Sequence, residues 1–530
     1  MKSNMVRHSF GAMPTLSRPR STFKQPFTVK TTYDHGKIIP IKTIEILPGD
    51  SFNFKNISIF SRLATPQFPI MDNIRLDLYA FFTPSRILWD NFEKFHGAQD
   101  TVGASIAYTI PTVDIKAMNQ DSMADYFGLF TSPSSRTNAQ NVSALPFRAY
   151  NKIYNEWFRP QLIISKLTES TGDGPDTPGD YTIKKAISYS DYFLQNLPSP
   201  QRGDAVDMPL GTTAPVYGNA NDTYLFNETD ATKRVLRTST TGNVTLNGTP
   251  SATDDARFST DSSEVGLVAD LTNATAATIN SLRLNFQLQA LYEADQMAGT
   301  RFTEILQHRW GINNFPDGRA QRPEFLFHQR TMLNVNPVAQ TGETGTTPQG
   351  NLAGFGTASM SGKGFQASFV EFGYLQFFVV TRADLTYQEG IERMWTQSTR
   401  FDFFTPELES IGEQETYTYE LFYTDETSGI DGTTNQTIFG YNPRYEQYRM
   451  QKSQITGRFR SNATATFDPW HLSRVFGSAP SLNSTFMEET APMTRIKATS
   501  GDPDYLLDSY FDLVATRPMK MYGVPFRLSF

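Results

Sequence analysis

Acid–base or metal chemistry would first be sought at the six histidines, His8, His35, His96, His308, His328 and His471. No two are spaced to share a metal, and no His-Glu-x-x-His run occurs. Gly354-Phe355-Gly356 lacks the third glycine and the strand–helix setting of a dinucleotide site, and no Gly-x-Ser-x-Gly elbow or P-loop is present. Paired carboxylates such as Glu488-Glu489 are expected in any acidic chain of this size. A glycosidase would need two of them facing each other across a sugar, and nothing singles out such a pair. Asn-x-Ser/Thr triplets, Asn227-Glu228-Thr229 among them, read as chance in a threonine-rich chain. Neither a cofactor nor a catalytic group is expected.

One stretch does carry recognisable chemistry. Residues 441–460 hold Arg444, Arg449, Lys452, Arg458 and Arg460 with Glu446 as the only acid, interleaved with Tyr441, Tyr445, Tyr448 and Phe459. Cations for phosphate and flat rings for bases are what hold single-stranded nucleic acid. A solvated loop and a strand with salt bridges to a neighbouring subunit fit the same residues. The other basic residues sit at the ends. Residues 1–33 carry Lys2, Arg7, Arg18, Arg20, Lys24 and Lys30 with no acid, and the last eighteen carry Arg517, Lys520 and Arg527 with none. The net charge of -7 therefore leaves -16 for the 479 residues between them. Basic ends on an acidic body can meet phosphate while the body stays soluble. Among the basic residues, Arg7, Arg18, Arg20 and Lys24 join those of 441–460 as candidates to face DNA.

The elements that position these groups are mostly strands. Residues 74–82 alternate strictly, with Ile74, Leu76, Leu78, Ala80 and Phe82 on one face and Arg75, Asp77, Tyr79 and Phe81 on the other. The second face is only half polar, so Tyr79 and Phe81 are candidates for burial under a loop or a neighbour, as is Trp89. Thr83-Pro84 reads as a helix start, with Leu88, Phe92 and Phe95 at helical spacing until Gly97. Residues 37–47 read as a strand ending in the turn Pro48-Gly49-Asp50. Residues 51–60 read as another, and the shift of apolar phase from Phe52 and Phe54 to Ile57 and Ile59 predicts a bulge near Lys55-Asn56. Phe147, Tyr150, Tyr154 and Trp157 make a helical stripe that Pro160 ends. Residues 168–180 read as a flexible loop, 337–360 as a long one, 368–381 and 416–424 as strands and 387–397 as a helical turn. A helix from Leu284 toward Met297, broken at Gly299, should resume and run to Trp310.

Composition sets the frame. Aromatics are 13% of the chain, with 41 Phe, and charged residues only 19%. Either a large β-sandwich core or extensive burial against other copies would use so many rings, and interfaces select aromatics and shed charge. The absence of cysteine rules out disulfides, thiolate zinc sites and cysteine nucleophiles. Residues 1–10 are polar, so no export signal is expected, and no apolar run is long enough to cross a bilayer. Domains are expected at 1–33 (an extended basic arm, up to about 110 Å long), 34–200, 201–280 and 281–530. In 201–280, 41 of 80 residues are Gly, Asp, Ser, Thr or Asn, and the only aromatics are Tyr217, Tyr224, Phe226 and Phe258. That stretch reads as a surface insertion with some β structure.

Several motifs occur together in a telling order. They include SRPRS (17–21), LPGD (47–50), SRLATPQFPIMDN (61–73), WDN (89–91), NPVAQT (336–341) and TPQGNLAGFGTA (347–358). RADLTYQEG (382–390), RMW (393–395), IGEQ (411–414), RYEQYR (444–449), ITGRFRSN (455–462) and WHLS (470–473) follow. In this order the chain resembles the major capsid proteins of the Microviridae, small single-stranded DNA bacteriophages, in their gokushovirus branch. The resemblance implies a mainly β fold, an eight-stranded antiparallel jelly roll with long loop insertions and a few short helices. It implies copies assembled into a T=1 icosahedral virion shell around a circular single-stranded DNA genome, in the host bacterial cytoplasm. Implied partners are the chain itself, an internal scaffolding protein, a minor DNA-pilot protein and a host surface receptor met by the 201–280 protrusion. Tyr217, Tyr224, Phe226 and Phe258 would then face the host. The competing expectation is a carbohydrate-binding or carbohydrate-cleaving β-sandwich, such as a surface adhesin.

Overall fold

The computed structural model describes residues 19–98, 101, 105, 107–131, 137–203, 279–298, 321–345, 349–499 and 501–522, and within 204–278 the backbone of six short strands. It divides into two compact units, 201–298 and the rest of the chain.

The larger unit is built on one curled antiparallel sheet of ten strands. In chain order these are β1 (Ser21–Lys24), β2 (Phe27–Tyr33), β3 (Ile39–Ile46), β4 (Ser51–Leu63) and β5 (Ile74–Pro84), then β6 (Glu324–Ala339), β7 (Leu352–Gly362), β8 (Gln366–Ser368), β9 (Gly373–Ala383) and β10 (Tyr505–Arg517). The spatial order is β1-β10-β4-β7-β6-β5-β9-β3, with β8 on β4 and β2 on β10. Strand β6 turns the corner: Glu324–Leu333 pair with β5, and Asn334–Ala339 pair with β7. The two halves of the sheet thus face each other across an apolar core. Phe54 of β4 meets Phe377 of β9 at 5.2 Å, and Phe377 meets Phe511 of β10 at 4.9 Å. Ile57, Ile59, Leu76, Leu78, Phe82 and Val379 fill the rest. This is the expected mainly β jelly-roll architecture, with the expected eight strands on the main path and two more, β2 and β8, paired to it.

Several local expectations hold. The Asp512 partner is Asn56 and the Leu513 partner is Phe54, so Lys55 is the extra residue of the bulge. At the 48–50 turn Gly49 adopts φ +90°, and the Asp50 carboxylate accepts the Leu47 N–H at 2.9 Å. Helix α1 (Leu145–Ile153) runs into a single π turn over Tyr154–Phe158. Its buried Phe147, Tyr150 and Tyr154 pack against Phe378 and Val380 on the outer face of the sheet. Helix α2 (Ile279–Ala298) begins the dense sequence as expected, whereas its predicted continuation to Trp310 falls outside the described residues. In the smaller unit, strands Val244–Leu246, Lys233–Thr238, Tyr224–Asn227 and Ala256–Phe258 form one sheet in that order, and Leu267–Ala269 pairs with Val216–Gly218.

Other expectations are corrected. Strand β5 continues through Thr83 and Pro84, which pair with Tyr374 and Gly373, so Thr83 caps no helix. Only two isolated turns follow, Ser85–Ile87 and Phe92–Phe95, because the chain between them is held by the buried Trp89 indole, which donates to Asp173 at 2.7 Å. The expected loop at 337–360 is largely a hairpin of β6 and β7. Its glycines pack rather than flex: a Cβ on Gly356 would lie 2.8 Å from Leu333 Cδ2 and 2.9 Å from Leu63 Cβ. At 368–381 the strand starts only at Gly373. At 387–397 only Arg393–Trp395 turns helically. At 416–424 the strand ends at Tyr417, and a 3-10 turn over Thr418–Glu420 buries the Glu420 carboxylate between two cations. The loop at 168–180 is irregular yet tied down, since buried Arg148 grips Asp176 through two hydrogen bonds of 2.6 and 2.7 Å.

Candidate nucleic-acid and assembly surfaces

The basic stretch is a strand, a turn and a loop. Strand Ile438–Pro443 pairs with Glu413–Tyr417, and Tyr445 at φ +67° opens the short helix Glu446–Arg449. Sequence showed one acid here, but folding brings in others. Arg449 bonds Glu446 at 3.2 Å and Glu409 at 3.0 Å while staying exposed. The Lys452 side chain is only 10% exposed: its ammonium lies 3.1 Å from Glu420 and 4.4 Å and 4.7 Å from the Tyr192 and Phe193 ring centres. Burial pulls its pKa below the usual lysine value, against the attraction of Glu420. Glu420 also takes Arg393 at 3.0 Å and the Tyr192 hydroxyl at 2.9 Å. The charge of Lys452 is therefore committed inside the protein. Arg444 lies over the Tyr445 ring at 5.0 Å. Arg458 donates to the Ala465 carbonyl and lies 4.7 Å from the Phe467 ring centre. Arg460 reaches the Ile455 carbonyl at 3.3 Å and is exposed, as is Arg458.

Folding also joins the basic ends. Strand β1 pairs with β10, placing Ser21 opposite Arg517. Arg20 donates to Gly49 O at 2.6 Å and Ser51 Oγ at 2.9 Å, and Arg517 lies 3.7 Å from Asp50 at the same turn. Lys24 is exposed at the end of β1. Arg7 and Arg18 lie outside the described residues.

The aromatics of β5 are covered by the chain itself. The Phe81 ring is buried among Trp157, Phe158, Phe325 and Phe378. Tyr79 stacks on His328 at 4.6 Å and meets Phe158 edge-on at 5.4 Å. Between these rings and Arg382 a cavity of about 250 Å³ remains. Asp77, expected on a polar face, is fully buried beneath Tyr189: it accepts from His328 at 2.8 Å, Arg330 at 2.7 Å, Arg382 at 3.1 Å and the Tyr189 hydroxyl at 2.5 Å. Burial alone would raise its pKa, but these partners outweigh it and hold the carboxyl well below the usual range. In the smaller unit Tyr217 lies opposite Val268, Tyr224 opposite Val235, Phe226 opposite Lys233 and Arg257, and Phe258 opposite Leu225.

Sequence reasoning passed over the exposed aromatics of 394–404. Met394, Trp395, Phe401, Phe403 and Phe404 all point at least half into solvent or close to it. The signal was the density of rings, which has no period and so no place in a search for helices and strands. Among the described residues no His, Cys, Asp and Glu side chains group as metal ligands, and no helix is long and apolar enough to cross a membrane.

Comparison with known proteins adds the family. A family model described as capsid protein (F protein) matches residues 11–527. Capsid protein VP1 of Bdellovibrio phage phiMH2K is 42% identical over 546 residues, covering 98% of this chain and 97% of that protein. Capsid protein VP1 of Chlamydia phage 1 is 33% identical over 593 residues, covering 98% of each chain. Capsid protein VP1 of Spiroplasma virus 4 is 30% identical over 555 residues, covering 99% of this chain and 98% of that protein.

Proposed function

We propose a function from one premise: the chain belongs to the phage capsid protein (F protein) family. It is a structural protein of a bacteriophage virion. In the finer reading, its copies close into a T=1 icosahedral shell around a single-stranded DNA genome, in the cytoplasm of a bacterial host. An internal scaffolding protein and a minor DNA-pilot protein assist. The exposed cations Arg20, Lys24, Arg449, Arg458 and Arg460, with Arg7 and Arg18, offset phosphate charge. The insertion at 201–280, with Tyr217, Tyr224, Phe226 and Phe258, stands on the outer surface and meets the host receptor.

The observation that carries this reading is the end-to-end match, which takes in body and insertion together. The compactness of residues 201–298 as a unit of their own supports an insertion separable from shell building. Co-expression with the scaffolding protein, followed by electron microscopy, is expected to give uniform closed particles of sixty subunits. Persistent monomers or open sheets would overturn the assembly reading. A variant lacking residues 204–278 is expected to form the same particles and to lose adsorption to host cells; normal adsorption would remove the insertion from host recognition.

A further inference from the structure

The segment 393–404 is built in an unusual way. Its polar groups bond to one another at the surface. The Asp402 carboxylate accepts the N–H groups of Ser398 and Thr399 at 3.0 and 2.7 Å and the Thr399 hydroxyl at 2.9 Å. The Gln397 amide donates to the Asp402 carbonyl at 3.1 Å and to the Tyr448 hydroxyl at 3.2 Å. Thr396 donates to the Arg393 carbonyl at 2.9 Å, and Arg393 is anchored on buried Glu420. A loop so tied has little ordering entropy left to lose on binding.

Its apolar groups turn outward. Trp395 is 73% exposed, and Met394, Phe401, Phe403 and Phe404 are between 48% and 55% exposed. One edge is covered, where Phe404 meets Tyr445 at 5.2 Å and Tyr448 at 6.4 Å. At roughly 150–250 Å² for each large aromatic, these five side chains together present on the order of 500 Å² to water. That sum is of the order of the largest apolar patch an ordinary monomer carries. It is also more than half of the ~800 Å² that one partner contributes to a stable interface.

We infer that the loop 394–404 is a contact between copies of this chain, its aromatic side chains buried against a neighbouring subunit. The composition selects the occupant. Trp, Phe and Met beside a single outward Arg400, itself lying on the Phe401 ring at 4.6 Å, are what interface centres concentrate. A nucleic-acid platform would interleave its rings with several free cations; here Arg400 is the one exposed cation of the segment, the adjoining Arg449 is paired with Glu409 and Glu446, and Asp402 places a carboxylate inside the turn. The inference rests on the capsid reading, because a shell subunit must bury part of its surface against other copies.

The chain has no cysteine, so a single one reports on its own position. Phe403→Cys and, separately, Trp395→Cys are to be labelled with a maleimide as free subunits and as particles, both filled and empty of DNA. The expected result is that labelling slows at least about ten-fold in both kinds of particle. Equal labelling of particles and subunits would overturn the inference while leaving the capsid reading intact. Protection seen only in DNA-filled particles would overturn it in favour of a genome contact. Failure of the unsubstituted chain to form particles would instead count against the capsid reading. Trp395→Asp with Phe403→Asp gives a second readout that does not depend on labelling. Particle yield is expected to fall at least ten-fold while the free subunit melts within about 2 °C of the parent. Undiminished particle yield would overturn the inference.

Discussion

Asp77 illustrates how far a residue's neighbours can change its meaning. By sequence it belongs to a polar strand face; in the fold it is the shared counterion of Arg330 and Arg382 and a hydrogen-bond partner of His328 under the Tyr189 ring. Asp77→Asn keeps the shape and removes the charge, leaving two guanidinium groups without it. Because Arg330 is still 41% exposed, solvent screens part of the loss, and the expected destabilisation is about 2–3 kcal/mol rather than the larger cost of a fully dry pair. The carboxyl is held below its unfolded value of about 3.9, so its contribution is complete above that pH and is lost as the pH falls through the folded value. Melting temperatures of the parent and the variant should therefore differ at pH 7 and begin to converge only below about pH 4. A pH-independent difference would assign the effect to packing. Arg148 and Asp176 make a similar pair, 28 residues apart, and neither was legible. Arg148 sat inside an aromatic helical stripe and Asp176 in a loop of Gly, Pro and Asp, and nothing local to either says that they meet.

At the scale of elements, legibility followed the pattern of side chains. Strand β5, the bulge at Lys55, the Gly49 turn and α1 were readable because each leaves a periodic apolar trace or a turn residue that only one geometry explains. The β6–β7 hairpin left no such trace. Its second strand reads LAGFGTASMSG, where Gly354 and Gly356 look like loop residues but are strand positions pressed against Pro69, Leu63 and Leu333. Small residues there answer to the layer beneath and not to the chain's own direction. Gly356→Val should consequently cost about 1–3 kcal/mol through overpacking, and Gly356→Ala less. Urea denaturation followed by tryptophan fluorescence measures both. An unchanged midpoint would mean that the hairpin stands off the core and that the loop reading was nearer the truth. The same reasoning explains Thr416–Thr424, where alternation of Tyr417, Tyr419, Leu421 and Tyr423 predicted one strand. The chain turns at Thr418 instead, because Glu420 is drawn to Arg393 and Lys452, both remote in sequence.

For the molecule as a whole, the distribution of charge is the property with the clearest consequence. The two basic ends, hundreds of residues apart, are brought to one sheet edge by the pairing of β1 with β10, where Arg20 and Arg517 meet the turn at 47–51 and Lys24 lies farther along β1, opposite Val514. The excess of negative charge lies elsewhere in the chain. A concentrated basic edge on an acidic body binds a polyanion mainly by releasing its counterions, so affinity should fall steeply with salt. Each cation that contacts single-stranded DNA contributes about 0.7 to the slope of log K against log salt. Replacing Arg7, Arg18, Arg20 and Lys24 together by Gln should then flatten the slope by up to about 3 and lower the DNA content of particles. Arg20 and Lys24 are exposed, so the subunit should melt nearly as before. If slope and DNA content both stay unchanged, the edge serves contacts between subunits. The DNA reading would then fall to Arg449, Arg458 and Arg460, whose replacement would have to flatten the slope in their stead.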